Sequence, residues 1–271
     1  MILDKKVAEI MQSKVVTVGS STKVFDIACI MGRKNIGSVV ITDDDSVKGI
    51  ITERDITKQL LNGNDIANIP ASRLMVSDII SASPETTVRE AINTLFAHKF
   101  RRLPIIKNGR LVGIITSTDI CYEINNPHAC TNVGEIMRTN VSTIDSQKTI
   151  REALTLMFNA KSTTGRMGVG NVVITEDKMV KGILTERDII KYVVCKKKDI
   201  DETLVGDVMS TGIITIRPDV IVCHAADLLI QYHFRHLPVI NEQEELIGMV
   251  SQTLLIAEIK KNYESGTACL R

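Results

Sequence analysis

The chain has 271 residues, 44% of them hydrophobic and 24% charged, and 33 Lys+Arg against 32 Asp+Glu leave a formal net charge of +1. That balance argues against a dedicated nucleic-acid or membrane-surface binder, because both need a concentrated positive field. The six cysteines (Cys29, Cys121, Cys130, Cys195, Cys223, Cys269) fall at no disulfide-framework or zinc spacing, and no apolar run approaches membrane length. The N-terminus lacks the apolar core of a signal peptide, so a cytoplasmic location is expected.

In chain order, the same set of elements is predicted four times. A short helical segment such as Val7–Ile10 leads to a methionine, Met11 in the first unit, followed by Met75, Met137 and Met209. Six residues on, a hydroxyl sits in a β-branched stretch: Thr17, Ser81, Thr143 and Thr215. An amphipathic helix comes next; in the second unit Val88, Ala91, Ile92, Leu95 and Phe96 recur at three-and-four spacing and define one buried face. A short strand follows (Ser38 to Thr42, Leu103 to Ile106, Asn171 to Thr175, Leu237 to Ile240), then a polar turn and a signature strand that opens the closing helix. The signature reads Gly49-Ile50-Ile51-Thr52, Gly113-Ile114-Ile115-Thr116, Gly182-Ile183-Leu184-Thr185 and Gly248-Met249-Val250-Ser251, at steps of 64, 69 and 66 residues.

Each unit therefore reads β-α-β-β-α, and the fold class is α/β (α+β), with units at 1–64, 65–125, 126–198 and 199–260 and a tail at 261–271. A unit of about 60 residues buries only about 60% of its unfolded surface, so pairing is the physical expectation. The units alternate. The first and third carry Gly37-Ser38-Val39-Val40 and Gly170-Asn171-Val172-Val173, and both end Thr-Glu-Arg-Asp; the second and fourth carry Phe100-Arg101-Arg102-Leu103-Pro104 and Phe234-Arg235-His236-Leu237-Pro238. The building block is thus a pair, present twice, with a boundary near Asn125-Asn126-Pro127.

This set of motifs resembles the CBS domain family (named after cystathionine β-synthase), arranged as two tandem pairs over residues 6 to 258. The layout is similar to that of the gamma subunit of AMP-activated protein kinase. The resemblance implies two pairs packed as a flat pseudo-symmetric disc, within a chain or across a homodimer. It also implies a non-enzymatic sensor that binds adenine nucleotides (AMP, ADP or ATP, with Mg2+ as an option) and signals to a regulated partner protein.

Thr-x-x-Asp at a strand-to-helix junction has the spacing of a capping box, which explains one copy with no ligand at all. The same helix N-terminus suits phosphate, and a carboxylate there can accept both ribose hydroxyls. The resemblance implies ribose contact by Asp55, Asp119 and Asp188, and phosphate contact by Thr52, Thr116, Thr185 and Ser251. It places Thr17, Ser81, Thr143 and Thr215 near the base. Val16, Ile80, Gly37, Thr118, Pro104 and Pro238 complete the contact set by position. Arg101, Arg102, Arg235 and His236 precede short buried strands and are read as phosphate ligands in preference to inter-repeat ion pairs. Arg54 and Arg187 suit either role.

Two departures stand out. The fourth unit reads Ser251-Gln252-Thr253-Leu254, with leucine in place of the ribose acid, so at most three ordinary nucleotide sites are expected. The third unit carries an insertion within Lys161 to Gly170, including Arg166, which is read as a surface loop or a lid and has no P-loop pattern. His233 with His236, and His128 near Cys130, lack further ligands for a metal site. The rival readings are another adenosyl ligand (S-adenosylmethionine, methylthioadenosine or a dinucleotide) and a ligand-free structural adaptor.

Overall fold

The computed structural model describes residues 2–123, 131–160 and 168–264. The predicted boundary at 125–127, His128, Cys130, Arg166, Cys269 and most of the third-unit insertion lie outside the described residues.

In the first unit, β1 (Thr17–Val18) lies parallel to β2 (Ser38–Asp43), which forms a hairpin with β3 (Ser46–Thr52). Helix α1 (Val24–Lys34) connects β1 to β2, and α2 (Glu53–Leu61) follows β3. The second unit contributes α3 (Ala71–Leu74), α4 (Val88–Ala97), the β4 (Arg102–Lys107) and β5 (Arg110–Thr116) hairpin, and α5 (Ser117–Glu123). The third repeats the plan with α6 (Val133–Ile136), β6 (Thr143–Ile144), α7 (Ile150–Asn159), β7 (Asn171–Glu176), β8 (Met179–Thr185) and α8 (Glu186–Ile189). A single π-type turn (Ile190–Val194) continues α8. The fourth has α9 (Val222–Gln231), β9 (His236–Ile240), β10 (Leu246–Ser251) and α10 (Gln252–Glu264), which carries helix into the expected tail. In the second and fourth units the first strand shrinks to one parallel bridge each, Ala82 to Ile105 and Ile216 to Val239.

Local chemistry explains the elements. Asp44-Asp45, Asn108-Gly109 and Asp177-Lys178 all have positive φ, the conformation that a two-residue hairpin needs to match strand twist. Thr87 and Thr149 start α4 and α7 with capping boxes completed by Glu90 and Glu152. On α4 the periodic residues Val88, Ala91, Ile92 and Leu95 are buried, and Phe96 packs partly against the same core.

The segment that opens each unit does not pack on its own unit. Residues 2–12 lie on the second unit, bridging Lys6 to Thr87 and Gln12 to Ile114, while α3 lies on the first, bridging Lys23 to Pro70 and Ile50 to Val76. The second pair repeats the exchange: Arg138 bridges Met249, and Ser210 bridges Ile183. This crossing accounts for two sequence features together. A Cβ built on Gly49 would lie 2.7 Å from Met75, one on Gly113 2.5 Å from Met11, one on Gly182 2.8 Å from Met209, and one on Gly248 2.5 Å from Met137. Each signature glycine is the seat of the methionine that opens the partner unit.

The units form a ring. Within pairs, hairpin meets hairpin at Ser46–Arg110 and at Met179–Glu245. Between pairs, α1 packs on the π-type turn and α2 on α7 and α8, while α5 packs on α9 and α10. One apolar core runs continuously through the second and fourth units, from Val88, Leu103 and Ile120 to Val222, Leu237 and Leu255. The two pairs therefore meet within a single chain. Among the described residues, no helix is long and apolar enough to cross a membrane.

Candidate functional site

Each helix that follows a signature strand begins with the predicted cap. Asp55 Oδ2 accepts hydrogen bonds from the Thr52 amide (2.8 Å) and hydroxyl (2.6 Å), and the Asp55 amide donates back to Thr52 Oγ1. Asp119 with Thr116, and Asp188 with Thr185, repeat the arrangement at 2.8 Å for the amides and 2.7 and 2.6 Å for the hydroxyls. In the fourth unit only the Leu254 amide to Ser251 Oγ bond is made. The capping reading is thus met in the first three units. It uses one oxygen of each carboxylate. The other oxygen of Asp55 and of Asp188 accepts no hydrogen bond among the described residues, while Asp119 Oδ1 accepts from Gln12 Nε2 at 3.0 Å. Burial pushes the Asp188 carboxyl up despite the opposing bonds from Thr185.

Four clefts follow the ring, each combining one unit's signature with its pair partner's opening segment. Cleft 1 joins Thr52 and Asp55 to Ile79, Ile80, Pro104 and Arg102, within ≈ 120 Å³. Cleft 2 joins Thr116, Thr118 and Asp119 to Val15, Val16, Gly37 and Ser38, with a volume of ≈ 440 Å³. Cleft 3 joins Thr185 and Asp188 to Ile213, Ile214 and Pro238, at ≈ 390 Å³. Both are roomy enough for a nucleotide-sized ligand. Cleft 4 has Ser251 but Leu254, and adds Phe96, Phe100, Arg138 and residues 168–170 at the end of the insertion, within ≈ 110 Å³.

The expectation for the opening-strand hydroxyls needs correction. Thr17, Ser81, Thr143 and Thr215 line none of these clefts, and the first three are exposed. Strand side chains alternate between faces, so it is the preceding residue (Val16, Ile80, Ile214) that faces inward. Thr118 lines cleft 2, but its hydroxyl donates to Gln252 Oε1 of the fourth unit at 2.9 Å. Gly37 serves the protein's own side chains: a Cβ there would sit 2.8 Å from Arg102 Nη2 and 3.0 Å from Glu53 Oε2.

The basic residues converge at the centre of the ring. Arg54 Nε donates to Glu186 Oε1 and Arg187 Nε to Glu53 Oε1, both at 2.8 Å, a reciprocal pair that joins the first and third units. Arg235 lies 3.5 Å from Glu53, and Arg101 3.8 Å from Glu186. So Arg101 and Arg235, two of the arginines read as phosphate ligands, make inter-repeat ion pairs. Glu53 and Glu186 are only 3% and 2% exposed, and reasoning from sequence gave them no role. The signal was present: Thr-Glu-Arg-Asp occurs in the first and third units alone, with Ser117 and Gln252 at the matching positions of the others.

Two buried glutamates thus face five arginines, Arg54, Arg101, Arg102, Arg187 and Arg235. Burial lowers the Glu53 acidity, but Arg235, Arg187 and Arg102 outweigh it and hold the carboxyl below its usual range. Burial pushes Arg102 down to about 10 and Arg235 to about 9. Nη1 of Arg102 is buried without a hydrogen-bond partner. His236 is pushed down to about 3 by burial and by Arg101, Arg235 and Arg138, and its Nε2 meets Asn171 Nδ2 at 3.0 Å. The centre is therefore a desolvated positive site with an unmet donor, chemistry suited to an anion.

Comparison with known proteins agrees with this geometry. The model of the CBS domain matches four times, at residues 7–62, 71–126, 133–195 and 205–261. The uncharacterized protein MJ1225 of Methanocaldococcus jannaschii is 31% identical over 204 residues, covering 70% of each chain. Its crystal structure, described as that of a candidate archaeal homolog of g-AMPK, superposes with a TM-score of 0.82 at 18% identity, over 94% of this chain and all of that one. The CBS domain-containing protein CBSCBSPB1 of Arabidopsis thaliana is 24% identical over 91% of this chain, which spans about half (52%) of that relative's length. The chain belongs to the CBS domain family, with four repeats in two pairs.

Proposed function

We propose that the chain is a regulatory, non-catalytic sensor that holds adenosine nucleotides (AMP, ADP or ATP, with or without Mg2+) in clefts 1 to 3. The observation that carries this reading is the buried excess of arginine, with Arg102 Nη1 unpartnered, onto which three acid-bearing clefts open. Phosphate supplies the missing acceptor and offsets the burial of charge. The spare oxygens of Asp55 and Asp188 accept ribose hydroxyls while the other oxygen caps the helix. In cleft 2 the ligand displaces Gln12 from Asp119. Thr52, Thr116 and Thr185 lie at helix N-termini, where free amides favour phosphate.

Occupancy acts through the centre: an anion competes with Glu53 and Glu186 for the arginines that join the two pairs, and a cytoplasmic partner protein reads the change. For that coupling the ligand must bind the two arrangements unequally. The two pairs meet within one chain, and the homodimer expected from sequence adds a further surface.

The test is thermal unfolding against AMP, ADP and ATP, with S-adenosylmethionine and guanine nucleotides as controls. At 100 times its dissociation constant a ligand adds about 2.7 kcal/mol per site, a shift of several degrees for a chain this size. Stabilisation by adenine nucleotides alone supports the proposal. Stabilisation by S-adenosylmethionine alone reassigns the ligand, and no response to any of them leaves a structural adaptor.

A further inference from the structure

The contact between the first and third units carries a feature that ligand binding does not use. Helix α1 and the π-type turn approach so closely that a Cβ on Gly32 would lie 3.2 Å from Cys195 Sγ and 3.6 Å from the Lys191 Cα. A side chain at this position would crowd the Cys195 sulfur, while the Lys191 backbone lies at ordinary contact distance. Cys29, one turn before Gly32, lies on the same face of α1, and its thiol is near enough to Cys195 to raise that thiol's pKa further than burial alone does. Both are free thiols of intermediate burial, whereas Cys121 is only 2% exposed. Two partly exposed thiols from units far apart in sequence thus come near each other across the seam where the two pairs join.

We propose that Cys29 and Cys195 are a thiol–disulfide site, oxidised by a small-molecule disulfide to a covalent link that staples the first pair to the second. Either thiol can start the exchange; written with Cys29 first, Cys29 loses its proton. Its thiolate forms a bond to one sulfur of the incoming disulfide and expels the other as a thiolate, which takes up a proton. Once Cys29 is capped, its repulsion of a Cys195 thiolate is gone, and Arg33 and Lys196 favour that anion. Cys195 then loses its proton, attacks Cys29 Sγ and releases the second small thiol. Two protein thiols are oxidised by two electrons, and one external disulfide is reduced to two thiols.

The seam is also the floor of the ligand site. Lys191 and Tyr192 of the same turn line cleft 3, and the Arg54–Glu186 and Arg187–Glu53 pairs cross the same junction. The link therefore restrains the motion that the sensor reading requires, and its own test needs no nucleotide.

The full chain is equilibrated with oxidised or reduced glutathione, and free thiols, non-reducing peptide maps and thermal unfolding are recorded. Expected are the loss of two thiols, a Cys29–Cys195 linked peptide within a single chain, and a rise in melting temperature on the order of 5 °C that dithiothreitol reverses. Cys29→Ser and Cys195→Ala each abolish the linked peptide and the rise, while melting like the reduced wild type before oxidation. The proposal is overturned by glutathione adducts alone, by linkage through Cys121, Cys130, Cys223 or Cys269, or by linkage between two chains. A Cys29–Cys195 link without any rise in melting temperature overturns the staple.

Discussion

Replacing Asp188 with asparagine separates the two roles that its carboxylate combines. Oδ2 accepts the Thr185 amide at 2.8 Å and hydroxyl at 2.6 Å, and an asparagine oxygen can accept both. What is lost is charge at the helix N-terminus, about 0.5–1 kcal/mol. The charge is itself opposed by burial, which pushes the Asp188 pKa up, so the net change in stability stays within about 1 kcal/mol. With the asparagine oxygen held by the cap, an NH2 group faces the ribose, so the two charge-assisted bonds that the hydroxyls donated are lost, about 1.5–3 kcal/mol, or roughly 10- to 150-fold in affinity. Calorimetric titration with AMP and with its 2′,3′-dideoxy analogue forms a cycle. Wild type should discriminate strongly against the analogue, and Asp188→Asn should not. Equal losses for both ligands, or unchanged affinity after the same substitution at Asp55, Asp119 and Asp188 in turn, would refute the ribose assignment. A drop of several kcal/mol in stability with no change in discrimination would make the acid a cap alone.

Two further predictions concern stability. Gly49→Ala forces Met75 aside at both Cβ and Cγ, each 2.7 Å from the new carbon, and should cost about 1–3 kcal/mol in urea unfolding. Combined with Met75→Ala, the pair should cost clearly less than the sum of the singles, and strict additivity would disprove the seat. His236 has its folded value pushed down to about 3, so its unfolded form takes up a proton first as pH falls below about 6.5. The neutral ring's contribution is complete above that pH and is lost toward pH 3; between pH 6.5 and 4.5 wild type should lose up to about 3 kcal/mol more than His236→Gln. Parallel pH profiles for the two proteins would show that the ring is hydrated and free to charge beside Arg101, Arg138 and Arg235.

The Thr-x-x-Asp caps were legible because the bonds that make them span only three residues. The strand-helix alternation of each unit was legible for a similar reason, since side-chain period and turn chemistry act locally. The inward face of the opening strands was misjudged at Thr17, Ser81, Thr143 and Thr215. A two-residue strand or single bridge has too few alternations to reveal its face, and that face is chosen by a partner unit. The roles of Glu53 and Glu186 were missed because an acid in the first turn of a helix looks like any solvated N-terminal charge until the opposite pair covers it.

Four units in two alternating kinds, three with an acid and the fourth with a leucine, and the family they belong to can all be read along the chain. These are properties of periodicity and local motif, repeated often enough to exclude chance. Long-range packing sets each opening segment on its partner, so that Met11 seats on Gly113 and Met75 on Gly49. It alone sets Arg54 against Glu186, Arg187 against Glu53, and Cys29 against Cys195. The physical reason is range: a cap or a hairpin is settled by neighbours along the chain. A buried ion pair between residues more than 130 positions apart exists only because two cores close over it and exclude the water that would otherwise solvate each charge.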